Sequence, residues 1–126
     1  MYEDDPLGEI GWRKAQIFRA GRCVVDTGMH AMRWSREQAV KYYTDHLGDP
    51  EAGAVTEVER YCVWPGQACS YMIGKLTWLK LRDRAKASLG ERFDIREFHD
   101  AGLLPGATPL AVLDEVIGRY EQGRKA

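Results

Sequence analysis

The chain has 126 residues, of which 29% are charged, and its formal net charge is -1 from 18 basic and 19 acidic side chains. This length suits one domain with a substantial core and is too short for a typical two-domain enzyme. The balanced charge gives no broad positive field, so it disfavours nucleic acid and anionic membranes as partners.

The apolar pattern is helical throughout and predicts an all-α fold of about six helices in a compact irregular bundle, as a single domain over residues 1–126. Asp5 and Pro6 predict the start of the first helix, which ends near Gly28. The following loop then contains His30. The apolar stripe predicted for this helix comprises Ile10, Ile17, Phe18, Val24 and Val25.

Capping patterns bound the second and third helices. Ser35 and Gln38 form a capping box for the second helix, and Gly48 ends it. The chain restarts at Pro50, and the third helix ends at the Pro65–Gly66 break. The residues predicted to face inward are Val40, Tyr43 and Leu47 on the second helix and Val55, Val58 and Cys62 on the third.

The fourth helix is predicted to be the longest of the six, running from about Gln67 to Leu89. Asp94 caps a short fifth helix, and Thr108–Pro109 opens the sixth. The predicted inward face of the fourth helix comprises Cys69, Met72, Ile73, Leu76 and Leu79.

The three cysteines are Cys23, Cys62 and Cys69. They form no close pair in sequence and lack metal-ligand spacing. Because each falls at an apolar-periodic position, we expect small, buried, reduced thiols rather than a disulfide framework.

Targeting signals are weak in this sequence. No apolar run approaches the roughly 20 residues that span a bilayer, and residues 1–5 are acidic, unlike the basic start of a signal peptide. We therefore expect a soluble chain, cytoplasmic as given, although a longer form of the protein could be exported.

A polar stripe on the fourth helix is the first candidate for chemistry. Gln67, Tyr71, Gly74 and Trp78 share one face, offset from the aliphatic one. A tyrosine hydroxyl near a helix start can donate a hydrogen bond to a tetrahedral intermediate, and Gly74 leaves space one turn below. The ordinary alternative is a half-buried tyrosine that packs against a neighbouring helix.

His30 and Arg60 are further candidates. An imidazole at a bend can donate to a substrate carbonyl, although a structural histidine is the common alternative. Asp26, four residues earlier, could orient that imidazole or cap the turn. Arg60 can clamp a carboxylate, such as the terminal group of a peptide, but Glu57 offers it an ordinary helix-surface ion pair.

Complete catalytic motifs are missing from the sequence. The histidines show neither an i, i+4 pair nor an HExxH pattern, and the glycines do not form a phosphate-binding loop. We therefore expect any site in this chain to be partial.

Several strings of residues are specific enough to compare with known families: Tyr2 with Asp5–Pro6, Val24–His30, Trp34–Ala39, Arg60–Tyr61, Trp64–Ala68, Ser70–Tyr71, Ile73–Gly74, Phe93–Asp100 and Pro109–Leu113. Together they resemble the C-terminal part of the bacterial family called domain of unknown function 885, whose members look like zinc metallopeptidases. The resemblance covers nearly the whole chain.

The resemblance implies a helical fold similar to the single-domain zincins, in which a HExxxGH-like zinc helix and a downstream glutamate ligand precede this segment. The chain contains none of those ligands, so it is expected to bind no cofactor alone, with zinc expected in the full-length family protein. Its segment then forms the opposite wall of the cleft. The resemblance implies an oxyanion donor in Tyr71, a substrate-carbonyl donor in His30, and substrate contacts in Arg60, Tyr61 and Gln67. We therefore expect His30 and Tyr71 to face one common cleft rather than the core.

Two interpretations follow from this comparison. In the first, the chain is a fragment or separately encoded part of a metal-dependent peptidase, inert without its upstream zinc-binding portion, and it contacts peptide substrates. A fragment of this kind should expose an apolar face and could form a homodimer through it. In the second, the chain is a freestanding, non-catalytic helical binding module.

Overall fold

The computed structural model describes residues 2–125, which form six α-helices and two short 3₁₀ turns, with no β-strand in that range. This confirms the predicted all-α class and the number of helices. The helices are α1 (Pro6–Ala31), α2 (Arg36–Leu47), α3 (Glu51–Val63), α4 (Ser70–Leu89), α5 (Ile95–Leu103) and α6 (Leu110–Lys125), and the 3₁₀ turns are Gln67–Cys69 and Gly90–Arg92.

Helix ends follow the predicted caps. The Asp5 side chain accepts from the backbone N–H of Gly8 at 2.8 Å, and Ser35 and Gln38 form the reciprocal capping box. Gly48 ends α2 in the left-handed region with φ of 64°. These local signals worked because each satisfies backbone groups that a helix end leaves free.

The end of α1 differs from the prediction. The helix continues past Gly28 to Ala31, so His30 lies in its last turn rather than in a loop. With 26 residues, α1 is longer than α4 with 20, so the prediction that the fourth helix is the longest is wrong. Gly28 serves close packing instead of ending the helix, since a Cβ there would lie 2.5 Å from carbons of the Trp34 ring. A glycine inside a helix costs only about 1 kcal/mol relative to alanine, which this packing can offset.

The chain divides into two compact units, the first ending at Met72 and the second beginning at Ile73. The predicted single domain over residues 1–126 stays a prediction. In residues 2–125, no helix is long and apolar enough to cross a membrane.

The first unit buries one face each of α1, α2 and α3. Its core residues are Val25, Ala39, Val40, Tyr43, Leu47, Ala54, Val58, Tyr61 and Ala68, with Phe18 and Val55 partly buried against them. This agrees with the predicted inward faces of the second and third helices, except at one position. Tyr61 takes the core place expected for Cys62, and Cys62 is exposed.

The predicted apolar stripe of α1 is corrected by the structure. Val25 lies in the core, but Ile10, Ile17 and Val24 are exposed. These three residues are seven apart, so they share a face that is turned by about 100° from Val25. The first helix therefore carries an apolar stripe on its outer side, which we call the α1 outer stripe.

The second unit has its own core, formed by Leu81, Ala85, Phe98, Leu113 and Ile117, with Trp78 packed against it. The predicted inward face of α4 is wrong in this unit, because Ile73 and Leu76 are exposed. The buried positions are instead spaced by four residues, at Leu81, Ala85 and Leu89. Aromatic packing sets this rotation of the helix, since the Trp78 ring meets Phe98 edge-on at a centroid distance of 5.8 Å.

Candidate functional site

The first unit brings five polar residues together, and we call them the guanidinium cluster: Arg22, Glu57, Arg60, Gln67 and Tyr71. Arg22 comes from α1, and Glu57 and Arg60 come from successive turns of α3. Gln67 begins the 3₁₀ turn after the Pro65–Gly66 break, and Tyr71 lies in the first turn of α4. Three of the five predicted site residues, Arg60, Gln67 and Tyr71, are thus neighbours.

Glu57 and Arg60 form the ion pair that was the ordinary alternative at the sequence level. Arg60 Nη2 lies 2.6 Å from Glu57 Oε2, and Arg60 Nε lies 3.3 Å from Oε1. Burial acts to raise the pKa of Glu57, but hydrogen bonds from Arg60 and Tyr61 and the charges of Arg60 and Arg22 outweigh it and lower that pKa. The carboxylate therefore stays ionised.

Gln67 links the two arginines to the phenol. Its side-chain oxygen accepts from Arg22 Nη2 at 3.3 Å and from Arg60 Nη1 at 3.2 Å. Its amide nitrogen donates to the Tyr71 hydroxyl at 3.4 Å. The two contacts from the arginines are longer than the roughly 2.7–2.9 Å typical of charge-assisted hydrogen bonds, so a stronger acceptor could compete with Gln67 for both of them.

Arg22 is the functional candidate that the sequence analysis missed. Only 6% of the residue is exposed, and its guanidinium carbon lies 4.6 Å from the centre of the Tyr71 ring. It also lies over the rings of Phe18 and Tyr61, at 5.4 and 5.6 Å. A signal was present, because Arg22 stands three residues before the buried Val25 and so shares the buried face of α1.

Tyr71 is the accessible member of the cluster, with 47% of the residue exposed. One face of its ring contacts the Arg22 guanidinium, which is a cation–π contact. Its hydroxyl is positioned by Gln67 one turn earlier. Tyr71 can therefore present a phenol to a ligand from a supported position.

Tyr61, a predicted substrate contact, lies fully buried in the core. Its hydroxyl donates to Glu57 Oε2 at 2.9 Å and lies 3.2 Å from the Tyr43 hydroxyl. Burial is the main cause that raises the pKa values of both phenols, that of Tyr43 to about 12. This placement suits Tyr61 to hold Glu57 rather than to touch a ligand.

His30 and Asp26 form a second polar group. His30 Nδ1 lies 2.9 Å from the Asp26 backbone oxygen and 3.3 Å from its carboxylate. Both carboxylate oxygens of Asp26 accept from the Gly66 backbone N–H at 3.0 Å. Asp26 therefore contacts the imidazole, as one of the two sequence interpretations has it. Its carboxylate holds the distant turn that leads into Gln67 rather than the local turn that the sequence suggested.

The described contacts place Tyr71 with Arg22 and Gln67, and His30 with Asp26. That His30 and Tyr71 face one common cleft stays a prediction. Within residues 2–125, no three His, Cys, Asp or Glu side chains lie close enough together to hold a metal ion such as zinc. The described residues therefore do not fit zinc by themselves.

Comparison with known proteins adds context to this cluster. A family model described as "Bacterial protein of unknown function (DUF885)" matches residues 1–117, and no curated protein matches the chain. A crystal structure of "the putative lipoprotein from Colwellia psychrerythraea" is similar to this chain, with 50% sequence identity and a TM-score of 0.93. The similarity covers 98% of this chain and 21% of that one, so the chain spans about a fifth of the Colwellia protein's length.

Proposed function

The chain belongs to the bacterial family of proteins of unknown function, DUF885, and we propose that it forms the substrate-cleft wall of a zinc-dependent peptidase or related hydrolase in that family. The observation that carries the proposal is the guanidinium cluster, in which a half-exposed phenol is supported by Gln67 and Arg22. Supported donors of this kind are what a cleft wall needs to orient a polar substrate.

In this proposal the Tyr71 hydroxyl donates a hydrogen bond to the oxyanion that develops on a substrate carbonyl. A phenol is a neutral donor at pH 7, so it can stabilise that charge without titrating. Arg60 and Gln67 contact the substrate beside it, and His30 donates to a second carbonyl. Tyr61 supports the wall from the core by holding Glu57 against Arg60.

Zinc belongs to the proposal for the longer protein only. Because the described residues of this chain offer no ligand set, the metal would be held by residues outside them. The work assigned to this chain is binding and orientation of the substrate, and we expect no hydrolysis by the chain alone.

The proposal includes one docking surface. The α1 outer stripe exposes Ile10, Ile17 and Val24, and Leu7 extends it at its start. A matching segment makes up only 21% of the Colwellia chain. We assign the stripe to contact with the zinc-binding remainder of a longer family protein, since exposed apolar surface of this kind is costly in water. Because the Colwellia protein is described as a lipoprotein, we also place such a longer protein outside the cytoplasm.

The experiment uses a hybrid, called the joined protein, in which this chain replaces the matching fifth of the Colwellia protein and is joined to the remaining four-fifths. Zinc content and cleavage of a mixed peptide pool are then measured for the chain alone and for the joined protein. The proposal expects about one zinc per molecule and peptide cleavage only in the joined protein. If the joined protein binds no metal and cleaves nothing while the chain alone binds peptides, the peptidase proposal is wrong and the chain is a freestanding binding module.

A further inference from the structure

The buried Arg22 carries a charge that the described structure only partly satisfies. Its Nε is buried and has no hydrogen-bond partner among the described residues. The nearby carboxylate of Glu57 is already engaged by Arg60 and Tyr61. Since a buried guanidinium without an anionic partner is strongly unfavourable, Arg22 points to an anion that comes from outside this chain.

Gln67 marks the position that such an anion would take. Its neutral side-chain oxygen lies between Arg22 Nη2 and Arg60 Nη1, at 3.3 and 3.2 Å. One oxygen of a carboxylate in that position would make shorter hydrogen bonds to both groups, because it carries a full negative charge. The other oxygen would serve Arg22 Nε, since Nε and Nη2 of an arginine together bind a carboxylate in a bidentate way. The balance of charge agrees, because two guanidinium groups face a single carboxylate in the guanidinium cluster.

We propose that a carboxylate replaces the side-chain oxygen of Gln67 between Arg22 and Arg60, so that the cleft wall selects substrates with a free carboxylate group. This inference rests on the proposed function as a substrate-binding wall. Tyr71 forms the accessible side of the site, since it packs against Arg22 and 47% of the residue is exposed. The Gln67 side chain gives up its three contacts of 3.2–3.4 Å when the carboxylate binds, and Tyr71 keeps the support of the Arg22 guanidinium against its ring.

The test reads the arginine Nε–H signals of the ¹⁵N-labelled chain by NMR while a probe is added. The probe is an N-acetylated dipeptide with a free C-terminal carboxylate, and the matched control probe is the same dipeptide with a C-terminal amide. The acid should shift the Arg22 and Arg60 signals in a saturable way, and the amide should not. Sulfate shifting both signals as strongly as the acid would overturn the carboxylate assignment.

Variants check the site. Arg60→Gln should raise the dissociation constant of the acid probe by about tenfold or more, because one of the two charged donors is lost. Arg36→Gln is the matched control, since Arg36 pairs with Glu59 at the surface of the same unit and should leave binding unchanged. Circular dichroism establishes that both variants keep their helices.

A second arm separates two sources of the carboxylate. In the protein joined to the Colwellia remainder, the Arg22 signal could already be shifted before the probe is added and then not respond to it. That result would identify a carboxylate side chain of the remainder as the anion and would overturn substrate selection. A response to the probe identifies the substrate. The inference is overturned if the Arg22 signal is unaffected by the acid probe and also unchanged in the joined protein. Because the readout is not hydrolysis, this result is independent of whether the joined protein is a peptidase.

Discussion

The Glu57 carboxylate pairs with Arg60, and its negative charge also lowers the cost of burying Arg22. Replacing Glu57 by Gln removes both contributions. The amide can still accept the hydrogen bond from Tyr61, so the change removes mainly charge. Both partners of the pair are partly buried, with side-chain exposures of 26% for Glu57 and 31% for Arg60. The expected loss therefore lies between that of an exposed pair and that of a fully buried one.

Exposed pairs contribute about 0.5 kcal/mol and breaking fully buried ones costs about 3–5 kcal/mol, so we expect Glu57→Gln to lower the free energy of unfolding by about 2 kcal/mol at pH 7. For a chain of this size, that corresponds to a fall in Tm of about 8 °C. The effect must also depend on pH. Because the folded-state pKa of Glu57 is lowered, its contribution is present above the ordinary pKa of glutamate, about 4.3, and is lost as the pH falls through the lowered value.

Urea unfolding followed by circular dichroism at pH 7, 5 and 3 measures this contribution. The difference between Glu57→Gln and the unchanged protein should persist at pH 5 and shrink at pH 3. Asp45→Asn is the control, because Asp45 pairs with Lys41 at the surface, with side-chain exposures of 45% and 76%. It should change the unfolding free energy by less than about 0.5 kcal/mol. A loss below that value for Glu57→Gln, or an equal loss at pH 7 and pH 3, would refute the reasoning.

Two further changes test the packing of the first unit. Gly28→Ala should destabilise the protein by about 1–3 kcal/mol and shift the Trp34 fluorescence, because the new Cβ would lie 2.5 Å from the indole ring. Gly11→Ala is the control, since a Cβ there meets nothing within 4 Å, and it should be neutral or stabilising. Tyr43→Phe should reduce the fall in unfolding free energy at alkaline pH. Because the pKa of Tyr43 is raised to about 12, the protonated phenol stabilises the fold below pH 10, and this stabilisation is lost between about pH 10 and 12. A Gly28→Ala protein as stable as Gly11→Ala, or an unchanged alkaline limb in Tyr43→Phe, contradicts these placements.

The sequence predicted helix ends better than it predicted buried faces. Caps such as Asp5, Ser35 and Gly48 depend on groups within a few residues, and all three are as predicted. The inward face of a helix depends on which neighbours it meets. The outer position of Ile10 and the buried position of Tyr61 both follow from packing against other helices, which apolar periodicity alone does not specify.

The candidate site could be predicted only in part. Arg60, Gln67 and Tyr71 stood out because their residue types bind polar groups and lie at helix breaks, and the structure brings them together. Arg22 did not stand out, since a single arginine inside a long helix resembles ordinary surface charge. Its burial follows from the convergence of α1, α3 and the 3₁₀ turn, a set of contacts between residues about 45 positions apart along the chain.

The most direct measurement of the central claim is the peptide turnover of a Tyr71→Phe variant in the protein joined to the Colwellia remainder, with zinc content measured in parallel. Loss of one oxyanion donor should lower kcat by about 10²–10³-fold while zinc content stays unchanged. Turnover equal to that of the parent joined protein, at the same zinc content, would contradict the assignment of this chain as a wall of the catalytic cleft.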